Sequence, residues 1–76
     1  MKYLLTMQSG GTQAQCRVES VAHGSRLWCS MRDRYGYRSS TMPSVMVVDA
    51  RTREPIARIS YNGRAWDPAD WRREVA

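Results

Sequence analysis

The stretch Val45–Trp66, VMVVDARTREPIARISYNGRAW, decides the fold of this chain. It contains two apolar runs, Val45–Val48 and Ile56–Tyr61, which are separated by a charged turn that includes a proline. Valine, isoleucine and tyrosine favour strands because their side chains pack against cross-strand neighbours on a pleated surface. A second turn, at Asn62-Gly63, is a strong hairpin signal, because a type I′ turn needs positive φ at both central residues. The stretch therefore predicts three antiparallel strands, the last over residues 64–66.

The amino-terminal part of the chain predicts a further hairpin. Residues 3–8 are a candidate strand, and Ser9-Gly10-Gly11 is a turn by composition. Thr12–Val18 then alternates strictly, with alanine, cysteine and valine on one side and polar residues on the other. Such alternation is typical of a strand with one buried face. We expect these two strands to pair.

A helix is predicted between the hairpin and the central stretch. Ser20 is suited to the N-cap position, and Gly36 ends the helix just after Tyr35. Gly24 weakens a helix, but its missing side chain would allow close approach to a sheet. Trp28 is the expected anchor on the apolar arc, which consists of Val21, Leu27, Trp28, Met31 and Tyr35.

The end of the chain predicts a short second helix. Residues 37–44 are a loop by composition, and Asp67-Pro68-Ala69-Asp70 has the residue types of a helix start. Trp71 is the expected packing anchor of this helix. The predicted order is therefore ββαβββα in a single domain, residues 1–76. This is an α+β fold, an antiparallel sheet with one main helix on one face and a short C-terminal helix.

The composition is basic and rich in arginine. Twelve Lys and Arg residues against seven Asp and Glu give a net charge of +5, and all but Lys2 of the basic residues are Arg. GC-rich coding favours arginine by itself, whereas arginine also forms bidentate contacts to phosphate and carboxylate groups and is enriched at interface hot spots. A positive field argues against mimicry of DNA by an acidic surface. It permits nucleic acid or an acidic protein face as the partner.

Cysteine use and hydropathy indicate the compartment. Cys16 and Cys29 do not make a disulfide framework, and a single histidine cannot complete a zinc set, so free thiols in a cytosolic protein are favoured. The start, residues 1–5, resembles a signal peptide, but polar residues interrupt it at once. No run approaches the roughly 20 apolar residues that span a bilayer. We expect a cytoplasmic protein without membrane association.

The reactive residue types do not form a catalytic constellation in the sequence. His23 has only Glu19, one turn earlier, as a partner that could set its orientation and pKa, and a surface histidine beside a helix cap is the simpler interpretation. The seven carboxylates are scattered, and Gly10-Gly11 precedes no helix that would make it a phosphate cradle. We expect no enzyme activity, no metal and no small-molecule cofactor.

Arginines with an interleaved tyrosine are the candidate partner-binding residues. One group belongs to the helix and the loop after it, and the other to the first turn of the central stretch. If both lie on one side, they form a basic patch with an aromatic residue, as in nucleic-acid-binding proteins. The alternative is a solvated helix face and a charged turn that protects a strand edge from aggregation. The candidate set is Arg26, Arg32, Arg34, Tyr37, Arg38, Arg51 and Arg53.

Three further aromatic residues allow two interpretations. Tyr61, Trp66 and Trp71 could form a base-stacking platform. Each also lies where a hairpin or a terminal helix needs a packing anchor in a chain without phenylalanine. We expect Trp66 and Trp71 to belong to the core.

The predicted order from Ser20 onwards, α-β-β-β-α, resembles that of double-stranded RNA-binding domains. In that family the second helix opens with a basic cluster that binds the phosphates. Here the corresponding helix would open with the acidic Asp67-Pro68-Ala69-Asp70, which repels phosphate. The order of elements is shared, and the residues for RNA binding are not.

A second resemblance covers about residues 20–66. A helix, a strand pair and the closing ISYNGRAW of Ile59–Trp66 resemble small proteins of phages and mobile elements, of the anti-CRISPR type. The resemblance implies a stoichiometric inhibitor that binds a CRISPR surveillance complex and blocks its nucleic-acid binding. It assigns no functional residue, because such proteins share no common site. The expected partner is thus a protein or ribonucleoprotein complex of the host, and the alternative is direct binding of double-stranded nucleic acid.

Overall fold

The computed structural model describes residues 2–70 and 72–75 as a five-stranded antiparallel sheet with one helix packed against one face. The α+β class, the first hairpin, the main helix and the three later strands are confirmed. The elements are β1 Tyr3–Ser9, β2 Thr12–Val18, α1 Val21–Tyr35, β3 Ser44–Asp49, β4 Pro55–Ile59 and β5 Ala65–Trp66. In this described part of the chain, no helix combines the length and the apolar character that crossing a membrane requires.

The strands lie in the order β2-β1-β3-β4-β5, so β1 has a neighbour on both sides. β1 pairs antiparallel with β2 and with β3, and α1 connects these two outer neighbours across the sheet. Leu5 lies opposite Val47 in this register, and both side chains are completely buried under α1. The register shifts between Val47 and Val48, opposite the start of β4 at Pro55. Proline donates no hydrogen bond, which is why it is found at such irregular ladder positions.

The caps of α1 are those that the sequence predicts. The hydroxyl oxygen of Ser20 accepts a hydrogen bond from the backbone N–H of His23 at 3.0 Å, which is the N-cap arrangement. At the other end Gly36 adopts the left-handed conformation, and its N–H donates to the carbonyl of Arg32. Both predicted boundaries of the helix are confirmed.

Gly24 is the closest point between α1 and the sheet. A Cβ atom added there would lie 2.9 Å from a γ-methyl of Val47 and 3.6 Å from a δ-methyl of Leu5. The absence of a side chain therefore lets the helix lie directly on β1 and β3, as the sequence analysis suggested. One turn further along, Trp28 is completely buried and is the largest side chain of the core. Tyr35 was assigned to the same arc, and this is wrong, because its side chain is 64% exposed.

The turn between β4 and β5 is a hairpin of a different type from the predicted one. Only Gly63 has a positive φ, of 86°, and Asn62 does not. The N–H of Gly63 donates to the carbonyl of Ser60, and the N–H of Ser60 donates to the carbonyl of Arg64. This is a three-residue loop that ends in a left-handed glycine, instead of a two-residue type I′ turn. A Cβ atom at Gly63 would lie only 2.5 Å from Sγ of Cys29, so α1 leaves no room for a side chain at this position.

Residues 67–70 and 72–75, which the structure describes after β5, form no helix, so the order ββαβββα is wrong at its end. Asp67 does accept hydrogen bonds from the N–H groups of Ala69 and Asp70, as an N-cap residue would. The chain then turns back, and Glu74 forms an isolated antiparallel bridge with Trp66. Backbone groups of this last segment thus pair with the free edge of β5, whereas in a helix they would have paired with one another. The expected anchor Trp71 lies outside the described residues. The element order shared with double-stranded RNA-binding domains is lost with this helix.

Candidate binding surfaces

A cluster of aromatic residues holds the C-terminal end of α1 against the β4–β5 turn. The carbonyl of Tyr61 accepts hydrogen bonds from Nε1 of Trp28 at 3.3 Å and from Nη1 of Arg32 at 2.9 Å. The hydroxyl of Tyr61 donates to the carbonyl of Tyr37 at 2.9 Å, and the ring of Tyr37 lies 5.7 Å from that of Trp28. Two members of the candidate set, Arg32 and Tyr37, therefore serve the packing of the fold.

Arg32 is the least exposed of the helix arginines. Its guanidinium lies 5.4 Å from the centre of the Tyr61 ring, and its side chain is 21% exposed. Nε donates to the carboxylate of Asp33 at 3.1 Å. This hydrogen bond raises the pKa of Arg32 above its ordinary value, so the group stays charged. Its contacts leave little of the guanidinium for a partner.

The surface at the end of α1 carries an exposed aromatic residue between two arginines. The guanidinium of Arg34 lies 5.7 Å from the centre of the Tyr35 ring, within the range of a cation–π contact. The rings of Tyr35 and Tyr37 lie in a T-shaped arrangement with 6.4 Å between ring centres. Arg38 follows in an ordered turn, in which its N–H donates to the hydroxyl of Thr41 at 3.0 Å and its carbonyl accepts from the N–H of the same residue.

An apolar groove of about 290 Å³ lies directly beside this exposed tyrosine. It separates the end of α1 from the tip of the β1–β2 hairpin. Ala14 faces it, which is why this inward-facing residue is exposed although the alternation of β2 is correct. We call this area, together with Arg34 and Arg38, the helix-end surface. The groove is lined by Met7, Ser9, Thr12, Ala14, Cys16, Met31, Tyr35, Tyr37 and Pro43.

The structure does not bring the two groups of candidate arginines together. The end of α1 borders the Ser9 end of β1, whereas Arg51 and Arg53 follow β3 and border the Tyr3 end. The length of these strands, about 3.3 Å per residue, separates the two groups. Arg26 is exposed on the outer side of α1 between them. The single basic patch that the sequence allowed is therefore divided into a helix group and a turn group.

His23 is part of the N-terminal cap of α1. Its Nδ1 accepts a hydrogen bond from the backbone N–H of Glu19 at 3.0 Å, while its own N–H donates to Ser20. The contact to Glu19 is thus made by the backbone and not by the carboxylate. The histidine closes the first turn of the helix, as the simpler interpretation proposed. Among residues 2–70 and 72–75, no group of three or more His, Cys, Asp or Glu side chains is placed to hold a metal ion.

Trp66 does not belong to the core under α1, contrary to the prediction. It pairs with Arg58 in the β4–β5 register, and Arg58 lies opposite Met46, on the sheet face away from the helix. The indole N–H of Trp66 donates to the hydroxyl of Ser60 at 3.1 Å. The tryptophan is half-buried and borders a shallow depression beside Arg58 and Tyr61.

Comparison of the chain with models of protein families, with curated proteins and with solved structures finds no match. We therefore argue the function from the geometry of the chain itself. The sequence did not predict the helix-end groove, because its lining residues come from β1, β2, α1 and the loop after α1 and form no local pattern. Arg17 was not among the predicted candidate residues, because alternation alone only assigns it to the polar face of β2.

Proposed function

We propose that this protein is a non-enzymatic binding protein that occupies a surface of a larger host protein or ribonucleoprotein assembly and blocks it. The observation that carries the proposal is Tyr35, a 64% exposed ring at the mouth of an apolar groove with the guanidinium of Arg34 against it. Tyrosine and arginine dominate the binding energy of protein interfaces. An apolar groove beside them accepts an apolar side chain of a partner.

The charge of the surface defines the kind of partner. Arg34 is exposed at the end of α1 and Arg38 in the loop after it, while Asp33 is exposed next to Arg34 and pairs with Arg32. With a net charge of +5 for the chain, a partner face with carboxylates around an apolar anchor is complementary. Charge complementarity of this kind increases the association rate and selects the partner.

The assembly that we propose is a CRISPR surveillance complex whose nucleic-acid binding is blocked. The resemblance of residues 20–66 to small phage and mobile-element proteins of the anti-CRISPR type supports this choice. The basic charge favours occlusion of a protein surface over imitation of DNA. The helix-end surface lies on one end of a small rigid body, and bound there the rest of the domain would cover neighbouring sites on the complex.

The test is a competition experiment with purified surveillance complexes. The protein is added to each complex, co-elution is followed by gel filtration, and binding of labelled target DNA is measured by fluorescence anisotropy. We expect a stoichiometric complex and a loss of target binding. The variant Tyr35→Ala with Arg34→Glu should abolish both effects, since it removes the anchor and reverses the charge at the groove.

The matched control is Arg64→Glu, which makes the same charge reversal at the β4–β5 turn. We expect it to inhibit like the wild type. If both variants lose inhibition equally, net charge and not the helix-end surface is responsible. If the wild type leaves target binding by every complex unchanged, the proposed inhibition is wrong.

A second candidate function is direct binding of double-stranded nucleic acid. It is favoured by the exposed guanidinium groups of Arg26, Arg34 and Arg38 along α1 and the loop after it. A titration of random duplex DNA and duplex RNA at two salt concentrations tests it. Micromolar binding that weakens steeply with salt would support it, because phosphate contacts release counterions. Absence of binding at low salt would exclude it.

A further inference from the structure

The β3–β4 turn holds Arg53 in a left-handed conformation, with a φ of 66°. The turn is fixed by Asp49, whose carboxylate accepts hydrogen bonds from the N–H groups of Arg51 at 2.7 Å and Thr52 at 3.0 Å. The carbonyl of Asp49 accepts from the N–H of Arg53 at 2.9 Å. Glycine or asparagine would adopt this conformation at lower cost than arginine. A strained backbone conformation of this kind is a reason to look for a function of the side chain.

The side chain of Arg53 extends over the sheet face that α1 leaves open. Its Nη1 donates to Oε1 of Gln15 on β2 at 3.3 Å. Gln15 alternates with Cys16, which packs toward the core under α1, so it points to the opposite face. Arg17 lies two residues further along β2 and shares that face. Two guanidinium groups from distant parts of the sequence thus border the same area of the open face.

Both arginines line one hollow of about 570 Å³. The lining residues that the structure describes include no carboxylate. In the neighbouring turn, Asp49 holds two backbone N–H groups and Glu54 is exposed, and neither lines the hollow. We call it the Arg17–Arg53 hollow. It is lined by Tyr3, Leu4, Gln15, Arg17, Ala50 and Arg53.

We propose that the Arg17–Arg53 hollow binds a phosphate group. Two cations at one hollow without a counter-charge favour an anion, and the planar fork of arginine matches phosphate oxygens with two hydrogen bonds. The amide of Gln15 uses its oxygen for Arg53, so its NH₂ group offers further donors to the same anion. The phosphate belongs either to a nucleic-acid strand that crosses the open face or to a small phosphorylated molecule. The site lies at the end of the sheet opposite the helix-end surface. It is independent of the function that is proposed for the helix-end surface.

The experiment uses two probes, pyrophosphate and a labelled single-stranded 12-mer of thymidine. Binding of each is measured at low and moderate salt by calorimetry and by fluorescence anisotropy. We expect Arg17→Gln and Arg53→Asn each to weaken binding of at least one probe about tenfold or more, because charge-assisted hydrogen bonds are strong. Arg53→Asn removes the guanidinium but keeps a residue that tolerates the left-handed conformation. Its urea midpoint should be at least that of the wild type, so loss of binding is separated from loss of fold.

The control is Arg64→Gln, which removes one positive charge from the β4–β5 turn and should change binding less than twofold. Tighter binding of the 12-mer, with a smaller salt dependence in both hollow variants, assigns the phosphate to a strand. Binding of pyrophosphate alone assigns it to a small molecule. Equal weakening by Arg64→Gln would show that only the general charge of the protein acts, and absence of binding of both probes at low salt would equally overturn the proposal.

Discussion

Replacing Gly24 by alanine tests the close contact between α1 and the sheet. In an exposed helix the change stabilises by about 1 kcal/mol, because glycine is the poorer helix former. Here the new Cβ would lie 2.9 Å from the γ-methyl of Val47, a distance that requires movement of one of the two. Val47 is completely buried and β-branched, so it has neither space nor an alternative rotamer to accept the methyl group.

The expected result is a net loss of stability. Overpacking of a core costs about 1–3 kcal/mol, from which the helix-propensity gain of about 1 kcal/mol is subtracted. The difference is about 0–2 kcal/mol, and because the contact is fully enclosed we expect Gly24→Ala to lower the free energy of unfolding by an amount in the upper half of this range, about 1–2 kcal/mol. For a domain of this size that corresponds to a fall in Tm of about 4–16 °C. Urea unfolding followed by circular dichroism measures the difference directly.

Two comparisons isolate the steric contact from helix propensity. Ser30 is exposed in the same helix, so Ser30→Ala should be more stable than Ser30→Gly by about 1 kcal/mol, the propensity difference alone. In the double variant Gly24→Ala with Val47→Ala, the added methyl enters the space that valine vacates. We expect a favourable coupling of about 1–3 kcal/mol between these two changes. If Gly24→Ala instead stabilises as the Ser30 pair predicts, or if the two core changes are additive, the contact is not a packing constraint.

Three further outcomes follow from the contacts described above. Gly63→Ala should destabilise by about 2–4 kcal/mol, from the left-handed backbone and the clash with the thiol of Cys29, and Cys29→Ala should restore only the steric part in urea unfolding. Tyr61→Phe removes a hydrogen bond to a backbone carbonyl and should cost about 0.5–1.5 kcal/mol, whereas Tyr35→Phe at an exposed ring should stay within about 0.5 kcal/mol. The pKa of Asp49 is lowered by hydrogen bonds from backbone N–H groups of its turn, so its contribution is present above the ordinary pKa and is lost as the pH falls through the folded value. Asp49→Asn should therefore make the acid limb of the stability curve less steep, and an unchanged acid limb would contradict this.

Most of the fold follows from local patterns that the structure retains. The alternation of β2 and the caps at Ser20 and Gly36 predict their elements because each depends on neighbours within a few residues. The two errors in the backbone arise where a distant element competes. At Asn62-Gly63 the side of α1 occupies the space around the turn, and after Asp67 the open edge of β5 offers hydrogen bonds that replace a helix. Both partners are distant in the sequence, so the residues around each position do not indicate them.

The candidate surfaces were predictable only in part. Arg34 and Arg38 are exposed as their helical and loop positions indicate. The exposure of Tyr35 was missed because Tyr37, which follows the left-handed Gly36, folds back and takes the place against Trp28. The direction of the Arg53 side chain depends on a single positive φ angle, for which the sequence gives no sign in an arginine. A surface that is assembled from distant segments can be identified only in the three-dimensional structure, even where the secondary structure of each segment is correctly predicted.

The isolated bridge between Trp66 and Glu74 leaves the two margins of the sheet unequal. β2 has no strand beyond it among the described residues, while the margin at β5 is partly occupied by the returning chain. Copies that join through one available margin form a closed pair, whereas copies with two complementary margins can add to each other indefinitely. The backbone groups of β5 that pair with the returning segment are therefore not available to a strand of a second copy.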